Sequence, residues 1–320
     1  MSLLTKIKNI IAKKQSNQLV GISLQHNSVA ICSLPSIKAT ISSEEEEVTG
    51  TSFQSLNVHE LNYSAVIIEA EANEGLVGKC HIVLNGQQSQ IVQVDKPTVP
   101  AAEINSALKW QVKDLVSISP ENMVLDYFDG PVLAGGKEKI NVVCSPLNEL
   151  KQIVSAANAG NMEVTSIIIA EFAFANLLPI QNDACLLVCQ QPNEEVVLLI
   201  IKQGKLYFHR RLHGFSQIAN KSEDELTMTV IDSFALEIQR SSDYFERQLK
   251  QAPIKDIKVL LPMKTESFFA RKLAENSHLP VSLLALPKPY EARREYASAI
   301  GATMSEARAA EHFQELAHDS

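Results

Sequence analysis

The chain has 320 residues, of which 45% are hydrophobic and 21% charged, and these values indicate a globular protein of about two domains. Lysine and arginine number 29 and aspartate and glutamate 37, so the net charge of -8 disfavours nucleic acid and anionic lipid as partners of the whole surface. Five scattered cysteines indicate free thiols in a reducing compartment, without zinc-ligand spacing, and no apolar stretch reaches the roughly 18 residues of a membrane span. We therefore expect no metal, no disulfide framework and no transmembrane helix.

Residues 1–15 are predicted to form a separate amphipathic segment. Apolar side chains recur there at helical spacing, and the lysines fall largely on the opposite face. The apolar positions are Leu3, Leu4, Ile7, Ile10 and Ile11. Charge interrupts this apolar pattern, so the segment is not a signal peptide. Peripheral contact with a membrane and packing on the protein body or on a partner both remain open.

The first domain is predicted over residues 16–180. It opens with a hairpin, because two apolar, β-branched runs at 19–23 and 28–34 flank a polar break. The acidic stretch that follows is interpreted as a solvated loop. The local pattern of residues 62–74 fits either a buried strand or a helix ended by Gly75. The remaining predicted elements are strands at 80–84 and 90–94, a helix over 101–116 with Leu115 on its inner face, strands at 123–128 and 139–144, a helix capped by Ser145 and ended by Gly160, a strand at 164–169 and a short helix to Leu178.

The second domain is predicted over residues 181–304 and repeats the opening of the first. Three strands at 184–189, 195–201 and 205–210 form a meander, with a Gln203-Gly204 turn between the last two. The capping box of Ser222 and Glu225 is expected to begin one long helix that continues to about Lys250. Alternating strands and helices then follow to Met304. Residues 305–320 are predicted to be a polar tail, frayed or weakly helical.

Two successive halves of this kind suggest a duplicated α/β architecture. The chain resembles the PilM family of type IV pilus assembly, and within it most closely the members that serve the mannose-sensitive haemagglutinin (MSHA) pilus. The matching stretches are 20–23 (VGIS), 28–30 (SVA), 107–112 (ALKWQV), 120–127 (PENMVLDY), 236–244 (LEIQRSSDY) and 297–302 (ASAIGA). The resemblance implies a duplicated actin-like (ribonuclease H-like) α/β fold. It also implies that residues 62–74 form a helix before the strand at Cys80, and that the first half contains an inserted subdomain at about residues 86–165.

An actin-like fold binds nucleotide between two glycine-bearing hairpin turns and carboxylates that hold Mg²⁺. Relatives carry Asp and Gly in the first turn, where this chain has 23–28 (SLQHNS), and the second turn here contains Pro192 in place of the family's Asp and Gly. The family's third, glycine-rich loop is replaced by 262–266 (PMKTE). The residues that would have to hold ATP and Mg²⁺ are Gln25, His26, Asn27, Ser28, Gln190 and Gln191.

These departures predict a pseudo-ATPase scaffold with a degenerate nucleotide site, no catalytic residue and no required cofactor. The alternative is an ATP-binding conformational switch in which the altered turns still hold nucleotide. The basic run of His209, Arg210, Arg211 and His213 is interpreted either as a solvated rim or as a site for an acidic partner segment.

The resemblance also implies partners. In the family, the short cytoplasmic tail of a PilN-like inner-membrane protein lies between the first actin-like subdomain and the inserted one, and the pair belongs to the pilus assembly platform. We therefore expect a cytoplasmic protein at the inner face of the inner membrane, with a homodimer left open. The candidate partner-binding residues are Asn85, Gly86, Leu108, Trp110 and Gln111. For Trp110, packing inside the subdomain and direct contact with a partner both remain open.

Overall fold

The structure is a computed structural model that describes residues 18–35, 51–130 and 138–318, with side chains to residue 311. The strands in these residues are β1 (Gln18–Leu24), β2 (Ser28–Pro35), β3 (Ser52–Asn57), β4 (Val77–Leu84), β5 (Gln90–Asp95), β6 (Met123–Asp129), β7 (Lys139–Pro146), β8 (Asn161–Ile169), β9 (Cys185–Cys189), β10 (Val196–Lys202), β11 (Lys205–Leu212), β12 (Asp256–Leu260) and β13 (Val281–Leu283). The α-helices are α1 (Tyr63–Glu74), α2 (Ile104–Val112), α3 (Leu147–Ala159), α4 (Ala170–Ala175), α5 (Glu223–Thr229), α6 (Ile231–Asp243), α7 (Glu266–Glu275), α8 (Ala297–Thr303) and α9 (Ser305–His318).

Two five-stranded sheets have the same topology. Their strand orders are β3-β2-β1-β4-β8 and β11-β10-β9-β12-β13, and each consists of a three-stranded antiparallel meander followed by two parallel strands. Each meander comes first in its half of the chain, because tight polar turns can join only antiparallel neighbours. The predicted duplication of an actin-like α/β unit is confirmed.

The central strands are buried on both faces. All five residues of β9 are buried, and so are the last five of β1, which explains their continuous apolar sequences. One core fills the space between the two sheets and contains residues of both halves together with α4 and α8. Two further cores lie on the outer faces of the sheets, under α1 and α3 in the first half and under α5, α6 and α7 in the second.

The inserted subdomain is a separate three-stranded antiparallel sheet in the order β5-β7-β6, covered by α2. Its strands and helix come from residues 90–146, a narrower range than the predicted 86–165. The difference arises because β8 pairs in parallel with β4 of the first sheet. In addition, α3 packs through Ile153, Ala156 and Ala157 on the core under α1. These two elements therefore belong to the first actin-like sheet.

The single helix predicted from Ser222 to about Lys250 was wrong in its continuity. The capping box is present, but α5 ends at Thr229, Val230 has φ of -116°, and α6 is followed by a π-helical turn, Tyr244–Gln248. The Oγ1 atom of Thr229 donates to the carbonyl of Glu225, a bond that favours bending of a helix. The side chain of Val230 is buried in the core, and tertiary packing thus fixes the break.

Other local predictions also differ from the structure. Ser145 does not cap α3, because its hydroxyl donates to the carbonyl of Gln88 and β7 continues to Pro146. Leu115 is 57% exposed, since α2 ends at Val112 and the chain turns there. The strand β3 was not predicted. The polar tail is helical as α9, and an ion pair of 2.8 Å between Lys79 and Glu306 joins it to β4.

Several predictions lie outside the described residues, namely the amphipathic segment 1–15, the acidic loop and most of the connection between β6 and β7. Within the described part of the chain, no helix combines the length and apolar character needed to cross a membrane. All five cysteines are free and buried. Burial raises the pKa of Cys32 and Cys80 to about 12, as expected of core thiols.

Candidate functional site

A buried polar network joins the two domains where the nucleotide cleft of an actin-like fold would lie. We call Ser23, Gln25, Gln191 and Ser298 the junction network. The hydroxyls of Ser23 on β1 and Ser298 on α8 are 2.8 Å apart. The side-chain amide of Gln191 is oriented so that both its oxygen and its nitrogen have partners. The oxygen accepts from Ser23 at 2.6 Å and from Ser298 at 3.2 Å, and the nitrogen donates to the carboxylate of Glu194 at 3.2 Å. Each residue of the network is buried and bonded across the junction.

Close backbone packing holds the network in place. A Cβ on Gly21 would lie 2.1 Å from the carbonyl oxygen of Ala299, and one on Gly301 would lie 1.9 Å from that of Ala173. Only glycine allows β1 and α4 to approach α8 this closely. The helix is thereby fixed between the two halves, and the Nε2 atom of Gln25 donates to the carbonyl of Glu295 just before it, at 3.0 Å.

Two buried carboxylates and one guanidinium lie beside the junction network. Arg211 on β11 bonds to Glu171 on α4 at 2.7 Å, and its other nitrogen is 3.8 Å from Glu194. Burial raises the pKa of Glu194 to about 8, which Arg211 partly opposes by favouring the ionised form. Burial lowers the pKa of Arg211, but the nearby carboxylates of Glu171 and Glu194 raise it by more. Two carboxylates thus share one buried cation.

A third ion pair lies where relatives of this fold have their glycine-rich loop. Glu266 begins α7 and accepts the backbone N–H of Leu261 at 2.8 Å. Arg294 donates to both carboxylate oxygens of Glu266, at 2.9 and 2.7 Å, and to the carbonyl of Leu284 at 2.6 Å. This paired donation fixes the carboxylate rigidly, so the chain supplies its own anion at this helix N-terminus.

A cavity of about 10 Å³ lies beside the second turn, against Glu171, Gln191, Glu194 and Arg211, and this is the volume that one water molecule needs. Among the described residues, no group of three or more His, Cys, Asp or Glu side chains is arranged to hold a metal ion.

The predicted nucleotide-binding residues separate into two groups. Gln25, Gln190 and Gln191 are buried and bonded to the protein, and Ser28 donates to the Oε1 atom of Gln25 at 2.8 Å. Gln190 donates to the carbonyl of Glu194 at 2.6 Å and so shapes its own turn. In contrast, His26 and Asn27 are exposed at the tip of the first turn. The structure therefore places Gln25, with Ser28 bonded to it, and Gln191 in the junction network, whereas Gln190 bonds to carbonyls of the second domain.

Sequence reasoning did not identify the charged members of this region. Glu171 interrupts an otherwise apolar stretch, and that interruption is the signal that could have revealed a buried charge. The basic run at 209–213 was interpreted as a rim or an acidic-partner site, but Arg211 is paired with Glu171 and Arg210 with Glu237 at 2.7 Å. These pairs satisfy both guanidinium groups within the protein.

The five predicted partner-binding residues do not form one surface. Leu108 is buried in the core of the inserted sheet, and Asn85 is buried at the end of β4, where its Oδ1 atom accepts from the backbone of Gln87. Gly86 lies against the guanidinium of Arg211. Gln111 donates to the carbonyl of Asp95, which leaves Trp110 as the exposed apolar member.

Trp110 is 68% exposed on the face of α2 opposite the buried Leu108. The ammonium of Lys113 lies 5.4 Å from its ring centroid. Packing within the subdomain, one of the two interpretations of Trp110, is therefore wrong for this side chain. Its exposure is compatible with contact to a partner.

A groove of about 540 Å³ lies where α1 of the first domain meets α3. We call it the acidic groove; its lining residues are Glu60, Leu61, Asn62, Tyr63, Ser64, Glu149, Gln152 and Ile153. Burial raises the pKa of Glu149. Leu61 is exposed, so an apolar side chain stands between the two carboxylates and the floor of the groove. The groove therefore offers negative charge together with apolar contact.

No family model and no curated protein matches the chain. Solved structures do match. A chain of a PilM–PilN type IV pilus biogenesis complex superimposes with a TM-score of 0.62 and 13% identity, over 90% of this chain and 98% of that one. The cytoplasmic domain of EpsL, an inner-membrane component of the type II secretion system of Vibrio cholerae, gives 0.50 and 11%, over 91% and 95%.

A third match is a Bacteroides thetaiotaomicron protein of unknown function that has an actin-like ATPase fold. Its TM-score is 0.50 and its identity 8%, over 93% of this chain and 98% of that chain. Identities this low establish a shared fold and nothing about shared chemistry. Together with the repeated sheet topology, they show that this chain has the actin-like ATPase fold.

Proposed function

We propose that the protein is a non-enzymatic scaffold of type IV pilus assembly. The observation that carries this proposal is the junction network, in which Gln191 links Ser23 and Ser298 where nucleotide would enter. Bound nucleotide would have to displace buried hydrogen bonds, at a cost of about 1–3 kcal/mol for each polar group left unpaired. The full-length superposition on a chain of the PilM–PilN complex supports the choice of system.

In this proposal the protein corresponds to MshI of the MSHA pilus and lies in the cytoplasm at the inner face of the inner membrane. Its partner is the cytoplasmic tail of a PilN-like inner-membrane protein, MshJ, within the pilus assembly platform. We assign the tail to the acidic groove, because Glu60 and Glu149 favour a tail that carries basic residues beside an apolar one.

Titration calorimetry of the purified chain tests the two parts separately. With Mg-ATP we expect no heat of binding at millimolar nucleotide; micromolar affinity would instead establish the ATP-binding switch. With a synthetic MshJ tail peptide we expect saturable binding. The acidic-groove substitution Glu149→Lys should weaken binding about tenfold or more, which corresponds to about 1.4 kcal/mol.

The matched control is Glu163→Lys on β8, which makes the same charge change at an exposed position outside the acidic groove. Equal weakening by both substitutions would indicate a general charge effect and would remove the assignment of the groove. An absence of binding by the unmodified chain would remove the tail as a partner.

A further inference from the structure

A second groove separates the inserted sheet from the second domain. Its volume is about 280 Å³. We call it the edge groove; its lining residues are Ile91, Gln93, Asn141, Leu206, Tyr207, Phe208, His209 and Tyr244. None of these residues belongs to the junction network or to the acidic groove, so the proposed function does not account for this surface.

The groove runs along the free edge of a strand. Among the described strands, β11 pairs only with β10 and is the edge of its sheet. Leu206 packs in the core between the domains, whereas Tyr207 and Phe208 pack on the core of the opposite face of that sheet. A groove lined by residues from both faces must follow the edge between them. The backbone of β11 therefore lies at the base of the groove.

The opposite wall offers side-chain amides. Gln93 and Asn141 are cross-strand partners on β5 and β7, and the Nε2 atom of Gln93 donates to the Oδ1 atom of Asn141 at 3.3 Å. Asn141 is 4% exposed and lines the groove. An amide in this position can donate to the carbonyl of a peptide backbone.

The edge groove has an aromatic wall and is closed at one end, which determines the direction from which a ligand enters. The rings of Phe208 and Tyr244 have centroids 5.5 Å apart and form the apolar part of the wall. Farther along β11, Arg211 lies against Gly86 and pairs with Glu171, which closes the strand edge there. A ligand must therefore approach from the end at Lys205. The register shift opposite Tyr207 limits regular pairing to a short stretch.

We propose that the edge groove binds an extended segment of a partner protein, which lies along β11 as an added strand. An apolar side chain of the segment contacts Phe208 and Tyr244, and its backbone bonds to the strand edge and to the amide of Asn141. Strand addition of this type takes affinity from main-chain bonds and specificity from pockets for alternate side chains.

The probe is an array of short overlapping peptides that tile the cytoplasmic segments of the pilus-assembly membrane proteins and of the assembly ATPase from the same organism. Binding of each peptide to the full chain is measured by fluorescence anisotropy. We expect at least one peptide whose affinity falls about tenfold or more in Gln93→Arg, which extends an exposed side chain into the groove. The matched control is Gln217→Arg, an exposed position outside the groove, which should leave the affinity unchanged.

Backbone methylation of the bound peptide distinguishes strand addition from other contacts. Two versions of the peptide are compared, one methylated at its odd-numbered amide nitrogens and one at its even-numbered amide nitrogens. One version should lose binding and the other should keep it, because only every second amide of an added strand faces the edge of β11. The proposal is overturned if both methylated versions bind equally, if Gln93→Arg leaves the affinity unchanged, or if no peptide binds. A wild-type dimer in sedimentation that Gln93→Arg dissociates would assign the groove to a second copy of the chain and would also overturn it.

Discussion

The junction between the domains and the inserted sheet are stabilised in opposite ways. The junction depends on buried polar groups from distant parts of the chain, as in the pair of Ser23 and Ser298, which are 275 residues apart. The inserted sheet depends on a local apolar core whose residues all lie between Val94 and Cys144. A polar network is satisfied in one arrangement only, whereas an apolar core is fixed by shape and volume.

The junction and the inserted sheet therefore have different roles, since the first holds the domains in place and the second borders a surface that a partner can bind. The junction network bonds the second turn to β1 and α8 and so fixes how the two sheets meet. The inserted sheet borders the edge groove, which lies between it and the second domain. In the proposed scaffold, partners therefore bind at the acidic groove beside α1 and α3 and at the edge groove beside the inserted sheet, and the junction sets the geometry of these surfaces.

The largest expected loss of stability is in the apolar core of the inserted sheet. Leu108→Ala should lower the free energy of unfolding by about 2–5 kcal/mol, because it removes a fully buried side chain from a small core. Chemical denaturation provides the measurement. The control on the same helix is Trp110→Ala, which should change stability by less than about 0.5 kcal/mol because that ring is exposed. Equal losses would mean that Trp110 packs in the protein.

An intermediate effect is expected at the junction. Gln191→Leu should cost about 1–3 kcal/mol, because it leaves the buried hydroxyls of Ser23 and Ser298 without an amide partner. Thermal and chemical unfolding can both record the loss. Gln152→Leu, at an exposed glutamine of α3, should cost little. A neutral Gln191→Leu would show that the network does not join the domains.

The third expected effect is a pH dependence of the free energy of unfolding, and its size per pH unit is the smallest of the three. The pKa of Glu194 is about 8 in the folded protein against an ordinary value of 4.5, so the folded state retains a proton that the unfolded chain loses. The contribution of this group is present below about pH 4.5 and is lost as the pH rises to about 8, with a slope of at most about 1.4 kcal/mol per unit. Glu194→Gln should remove this slope from unfolding curves measured across that range. A difference between the two proteins that does not vary with pH would contradict the shifted pKa.

Much of the secondary structure could be predicted because its causes are local. The hairpin of β1 and β2 and the capping box at Ser222 each depend on residues a few positions apart. The helix between Asn62 and Gly75 was predicted from the family resemblance, because its local pattern also fits a strand. Errors occurred where tertiary contacts override local preference. Ser145 bonds to the carbonyl of Gln88 instead of capping α3, and the burial of Val230 accompanies the break between α5 and α6.

The sequence by itself therefore determined the order of most elements and the repeated hairpin-first halves, because these follow from nearest neighbours and from periodicity. The departures from the glycine-bearing turns were visible through the resemblance to a known family. Only the tertiary structure decided that Gln25 and Gln191 are bonded across the domain junction, that Glu171 and Arg211 are paired in the interior, and that Trp110 is exposed. Each of these depends on contacts between residues far apart in the chain, and no local pattern encodes the distance between two such side chains.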